Sequence, residues 1–178
     1  RTLLLNCLNK YYASQWEESW QDAFTEEHWS VNDERLKPFS SLTKEWSWQT
    51  PLRNYFERRM ALVEIDVITA IALGLSLEEL ILMYNIQFPV LQQNEDDTWY
   101  DALGNIVFTC SKGLVGVGLD RSEWEQIRDM QPGETYEHTI TKSELYLGEK
   151  VTYHAPFQKC NRVEDYKRAW QFFEEKFK

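Results

Sequence analysis

Carboxylates, imidazoles and thiols are the side chains of this sequence that could carry chemistry, and their spacing decides which chemistry is open to them. Asn94, Glu95, Asp96, Asp97 and Asp101 form an acidic cluster. Carboxylates converging with a lysine could hold a divalent cation and support phosphodiester hydrolysis. That use wants the lysine shortly after an acidic strand residue, whereas Lys112, the nearby lysine, lies beyond the second of two expected strands. The cluster therefore reads as a solvated acidic loop. His138 and His154 could approach across neighbouring strands, but two imidazoles without a third ligand do not make a zinc site, and His28 stands alone. Cys7, Cys110 and Cys160 contain no CxxC pair, so neither a zinc knuckle nor a disulfide framework is signalled, and free thiols in a reducing cytoplasm are expected. No Ser-His-Asp or Cys-His arrangement follows from spacing.

Two further groups bear on site chemistry. Gly113, Gly116 and Gly118 read GxxGxG, the reverse of the dinucleotide-binding order, and Leu114, Val115 and Val117 give the stretch an extended character. A bend that lets backbone come close is the expected role. If the chain contacts nucleic acid, Lys112, Gly113 and Gly116 with the neighbouring Arg121 are the first candidates. Glu64 and Asp66 sit inside the most apolar helical stretch, about 160° apart around the axis, so they cannot act as a pair on one face. A buried carboxylate needs a partner. The expected arrangement is a buried ion pair drawing on Arg58 and Arg59, with Arg53 or a residue of the second half as further possibilities.

The elements that must position these residues fall into two regions. Residues 1–97 read as helical with a long loop. A helix is expected from Thr2 to about Phe24, and a loop over 25–49 pinned by Trp29, Trp46 and Trp48. A second helix should open at Thr50-Pro51 and run to Leu73, with Gly74 as its left-handed stop. Ser76 and Glu79 form a capping box for a third helix ending near Asn85, before Pro89. Residues 98–178 read as a small antiparallel sheet plus helices. They comprise a hairpin turning at Gly104-Asn105, a short helix capped by Ser122, strands over 135–141 and 150–154, and an amphipathic helix opening at Asn161. The fold class is α+β, a helical N-terminal half followed by a small antiparallel sheet with hairpins and a C-terminal amphipathic helix, forming one module.

Charge limits the function classes. The 178 residues carry a net charge of −10, with 8 basic and 16 acidic residues over 1–97 and 11 and 13 over 98–178. An autonomous DNA binder shows a basic excess. Here nucleic-acid contact would be local and would come from the second half. No apolar run is long enough for a membrane span. The first residue is arginine rather than methionine, so the chain is expected to be a piece of a longer protein.

Several strings carry a resemblance. They are LLLNCLNKYY (Leu3 to Tyr12), RRMALVEIDVITAIALG (Arg58 to Gly74) with Leu77-Glu78-Glu79-Leu80, IQFPV (Ile86 to Val90), TWYDALGNIVFT (Thr98 to Thr109), KGLVGVGL (Lys112 to Leu119) and APFQKCNRVEDY (Ala155 to Tyr166). Together they resemble the C-terminal region of large bacterial DNA adenine-N6 methyltransferases of restriction-modification and related phage-defence systems, over nearly the whole chain. The resemblance implies a parent that binds S-adenosylmethionine and methylates the exocyclic amine of adenine. That chemistry needs a cofactor loop and an Asn/Asp-Pro-Pro-aromatic tetrapeptide. The sequence has no Pro-Pro, so the activity carries over to none of its residues. What the resemblance implies instead is a non-catalytic accessory module for target recognition, DNA clamping or assembly. It would have no cofactor of its own, and its partners would be the rest of the methyltransferase chain and double-stranded DNA, with no membrane. Two alternatives stay open: a metal-dependent nuclease domain fused to a methylase, using Asp97, Asp101 and Lys112, and a protein-interaction domain without a DNA role.

Overall fold

The structure, a computed structural model, describes residues 1–110 and 117–178. Its α+β architecture follows the expected order: a helical N-terminal half, small antiparallel sheets, and a closing helix. Contacts divide the chain into two compact units, Arg1–Ile81 with Arg162–Lys178, and Leu82–Asn161. This division differs from the one that composition draws at residue 97, because the closing helix packs on the first region.

In the first unit, α3 (Tyr55–Ala72) packs against α7 (Arg162–Lys176). Phe56, Met60, Val63 and Val67 line the buried face of α3, and Tyr166, Ala169 and Phe173 that of α7. Each large side chain so buried stabilises the fold by about 1.5–3 kcal/mol. Helix α3 opens at an Asn54–Glu57 capping box, with Glu57 N–H donating to Asn54 Oδ1 at 2.7 Å and Asn54 N–H to Glu57 Oε1 at 3.1 Å. Thr50-Pro51 is not its start. The carbonyls of Thr50 and Pro51 instead accept from Lys37 Nζ at 3.2 and 2.8 Å, which holds this stretch out of the helix. The C-terminus matches expectation. Gly74 takes φ +73°, and Leu75 N–H reaches the Ala70 carbonyl while Gly74 N–H reaches that of Ile71.

The long helix expected over 2–24 is broken into α1 (Thr2–Asn6), α2 (Ala13–Glu18) and 3₁₀ turns at Lys10–Tyr12 and Asp22–Glu26. Two asparagines compete for the backbone. Asn6 Nδ2 donates to the Thr2 carbonyl at 2.7 Å, and Asn9 Oδ1 accepts from Tyr11 N–H at 3.0 Å. Trp29 and Trp46 pin the following loop by indole N–H bonds to the carbonyls of Lys37 and Cys7. Trp48 does not; it is 62 % exposed, with the Arg53 guanidinium 4.0 Å from its ring.

Helix α4 (Leu77–Gln87) has the expected reciprocal box between Ser76 and Glu79. The helix ends before Pro89, as expected, and the proline then starts another. It occupies the first turn of α5 (Pro89–Asp96), where its missing N–H costs no bond. In the second unit, β1 (Trp99–Tyr100) lies between β2 (Ile106–Phe108) and β5 (Gln158–Lys159), antiparallel to both. A separate ribbon pairs β3 (Thr135–Thr139) with β4 (Lys150–His154). The β1–β2 connection over 101–105 places only Gly104 at positive φ, +84°, and its turn is closed by Gly104 N–H on the Asp101 carbonyl at 3.1 Å, rather than being the two-residue turn expected at Gly104-Asn105. Helix α6 (Arg121–Ile127) follows Asp120 as N-cap residue rather than opening at Ser122. Among the described residues no disulfide forms, and no helix is long and apolar enough to cross a membrane.

Candidate nucleic-acid interface

The second unit is organised around Trp124. Its ring stacks on Phe108 (5.7 Å, 9°) and meets Trp99 at 5.2 Å and Phe157 at 5.4 Å. Trp124 and Phe108 are buried with Val107, Leu119 and Ile127, while Trp99 stays half-buried at the edge. On the outer side of this aromatic cluster lies a concavity of about 300 Å³. Its rim is cationic.

Backbone geometry puts three cations there. Arg121, Trp124 and Arg128 fall at i, i+3 and i+7 of α6 and its C-cap, hence on one face. Lys159 on β5 stands directly opposite Trp99 on β1, and cross-strand partners share a face of the sheet. The result is Lys159 Nζ 5.1 Å from the Trp99 ring and the Arg121 guanidinium 4.9 Å from the Phe108 ring. Two carboxylates share the rim: Asp97 pairs with Arg121 at 3.1 Å and Asp129 with Arg128 at 3.5 Å. Both pairs are largely exposed, and exposed pairs of this kind contribute little. A phosphate could take over either guanidinium at small cost. Charged donors on flat aromatic walls suit a ligand that combines anionic oxygens with planar rings.

Of the residues singled out in the sequence, Arg121 belongs to this rim. Lys112, Gly113 and Gly116 lie outside the described residues. Arg128, Trp99, Trp124 and Lys159 were missed. The spacing Arg121-x-x-Trp124-x-x-x-Arg128 was a legible signal. Lys159 had none, because its place depends on a two-residue strand. Gly118 is a close-approach glycine, as expected of that stretch: φ is +74°, and an added Cβ would meet the Val107 carbonyl oxygen at 2.9 Å.

The groups considered for metal chemistry are otherwise engaged. Asp101 is fully buried; Oδ1 accepts from the N–H groups of Leu103 (2.9 Å) and Asn105 (2.8 Å), and Oδ2 from His154 N–H and Asn105 Nδ2 (both 3.2 Å). It is a turn-building residue. His138 Nδ1 lies 2.8 Å from Glu123 Oε1, which also accepts from Tyr136 Oη at 2.6 Å, a bond that holds the phenol pKa up. In the β3–β4 register His138 faces Val151 and His154 faces Thr135, an odd offset that sends the two rings to opposite faces. Among the described residues, no three His, Cys, Asp or Glu are grouped to hold a metal ion.

The carboxylates of α3 find separate cations. Buried Glu64 accepts from Arg1 Nε and from Ser30 N–H at 2.6 Å. Asp66 accepts from Arg162 Nη1 at 3.1 Å and Tyr166 Oη at 2.7 Å. Arg59 bonds Asp165 at 2.7 Å, and Arg58 reaches the Leu5 and Leu52 carbonyls at 3.4 Å. Arg58 and Arg59 thus pair with neither carboxylate: Asp66 takes Arg162, a residue of the second half as one expected alternative had it, and Glu64 takes Arg1, which was not foreseen. A second concavity, about 550 Å³, lies in the first unit along residues 25–40. Two carboxylates on its wall, Glu27 and Asp33, are held by Lys176 and Arg1 and by Arg35, which leaves it less suited to an anionic ligand. The chain matches no protein-family model, no curated protein and no solved structure.

Proposed function

We propose that the chain is a non-catalytic accessory module of a bacterial DNA-modifying enzyme, and that it touches DNA through the aromatic-walled rim of its second unit. The parent would be an S-adenosylmethionine-dependent adenine methyltransferase of the restriction-modification or phage-defence kind, acting in the cytoplasm. The observation that carries the DNA contact is the convergence of Arg121, Arg128 and Lys159 on the Trp99–Phe108–Trp124 wall. In a chain of net charge −10 such a site grips a few phosphates and serves positioning more than tight autonomous binding. The fused-nuclease reading loses support from Asp101, whose carboxylate is consumed by its own turn.

Anisotropy of a labelled duplex, titrated with the chain across a salt series, tests the contact. Weak binding with a log–log salt slope of about −3 is expected, and each of Arg121→Ala, Arg128→Ala and Lys159→Ala should lessen the slope by about 1. Binding that ignores salt, or that survives the triple substitution, would remove DNA contact from this rim.

A further inference from the structure

The strongest feature that the DNA-contact reading leaves unexplained is the outward side of α4 and α5. Helix α4 already has an inward side: Leu80 and Tyr84 are buried, Tyr84 Oη reaches Glu95 at 3.2 Å, and Gln92 Nε2 returns to the Tyr84 carbonyl at 3.1 Å. Yet Leu82, Met83, Ile86, Phe88 and Val90 are each between 46 and 68 % exposed. Leu82, Met83 and Ile86 share one helical face by the i, i+3, i+4 rule, and Phe88 and Val90 follow in sequence where α4 gives way to α5. Contiguous exposed apolar surface of this kind marks an interaction site.

Charge says what kind of partner fits. Between Arg59 and Lys112 the sequence holds eight carboxylates and no lysine, arginine or histidine. Within α4 and α5 the ionised side chains are all acidic, Glu78 and Glu79 before the apolar stretch and Glu95, Asp96 with the flanking Asp97 after it, Asp97 being answered by a cation, Arg121 at 3.1 Å. Such a surface repels anionic lipid and nucleic acid. It complements a segment that is apolar on one side and cationic beside it. On α4 the ridge from Leu82 to Ile86 runs roughly 6 Å, a little over one helical turn, which a helix can match by ridge-into-groove packing.

We propose that the Leu82–Val90 face is a docking site for a cationic amphipathic helix of a partner protein. The apolar residues of this face are not among those lining the DNA-contact rim, with which it has only Asp97 in common, and the proposal stands or falls independently of that rim.

The test uses the 178-residue chain and two synthetic 18-residue helical peptides, one of leucine and lysine and one of leucine and glutamate in the same pattern. The Leu/Lys peptide should bind, with affinity falling at least tenfold in the L82Q/I86Q variant. Affinity should be unchanged in L145Q/L147Q, which alters a different exposed apolar segment. The Leu/Glu peptide should not bind. Circular dichroism checks that both variants keep wild-type helicity, which these exposed positions permit. Equal binding of both peptides, or undiminished binding to L82Q/I86Q, overturns the proposal. So does a wild-type dimer in sedimentation that L82Q/I86Q returns to monomer, since the occupant is then a second copy.

Discussion

The carboxylate of Asp101 accepts from the backbone N–H of His154 at 3.2 Å, across 53 positions of sequence, and Ala102 N–H answers by donating to the His154 carbonyl at 2.8 Å. This exchange ties the β1–β2 turn to the end of β4. Asp101→Ala would leave the N–H groups of Leu103, Asn105 and His154 without their acceptor in a partly buried turn, at a cost of about 2 kcal/mol. Urea unfolding followed by tryptophan emission measures it. An unchanged midpoint would mean that the carboxylate is held for another purpose, and would revive the metal reading.

Glu64 poses the same question in the first unit. Its fully buried carboxylate answers the Arg1 guanidinium, which lies within 5.6 Å of the Trp29, Phe39 and Phe173 ring centroids. Glu64→Ala removes the buried one of the two carboxylates that answer this cation, leaving Glu27 at 3.4 Å, takes the acceptor from Ser30 N–H, and should cost about 3 kcal/mol. The double variant E64L/R1M should cost less than Glu64→Ala alone, because no unpaired charge remains. Denaturant unfolding monitored at 222 nm compares the two, and a double variant that is the worse of them would refute the argument.

What the sequence disclosed and what it withheld have physical reasons. The Ser76–Glu79 box, the Gly74 stop and the β3–β4 ribbon were legible because each depends on residues a few positions apart or on an unbroken alternating pattern. The α3 start was misread because Thr50-Pro51 and Asn54–Glu57 are both sound openings, and Lys37, far from both in sequence, decides between them. The partner of Glu64 was illegible for the same reason, since Arg1 arrives only through the packing of another segment on α3, while that of Asp66 was foreseen only as far as a residue of the second half. At the candidate rim, α6 was foreseen and Arg121 with it. Lys159 required the β1–β5 register.

Asp33 supplies a pH test. Hydrogen bonds from the Arg35 guanidinium hold its carboxyl below the usual carboxylate value. A carboxyl whose pKa is lower folded than unfolded adds stability that is fully present above the unfolded value. That stability is lost as pH falls through the folded one. Asp33→Asn should therefore lower stability at pH 7 and flatten its decline in acid. Unfolding free energies between pH 2 and 6 check this, and parallel curves for variant and wild type would contradict it.

Two glycines separate backbone strain from steric conflict. Gly133 (φ +94°) has open space where a Cβ would go, so Gly133→Ala meets only the conformational penalty, about 1 kcal/mol. Gly118 (φ +74°) carries the same penalty, and its Cβ would lie 2.9 Å from the Val107 carbonyl oxygen and 3.2 Å from its carbon. Backbone cannot swing aside as a side chain can. The same carbonyl accepts from Leu119 N–H at 2.7 Å, so moving it would also strain that bond. Gly118→Ala should thus exceed Gly133→Ala by 1 kcal/mol or more, of the order set by forced backbone displacement. It should also weaken DNA binding, because Phe108, a wall of the cationic rim, follows Val107 directly. Thermal unfolding and duplex anisotropy on the two variants give both readouts. Equal destabilisation by the two substitutions would show that the Gly118 contact yields without cost.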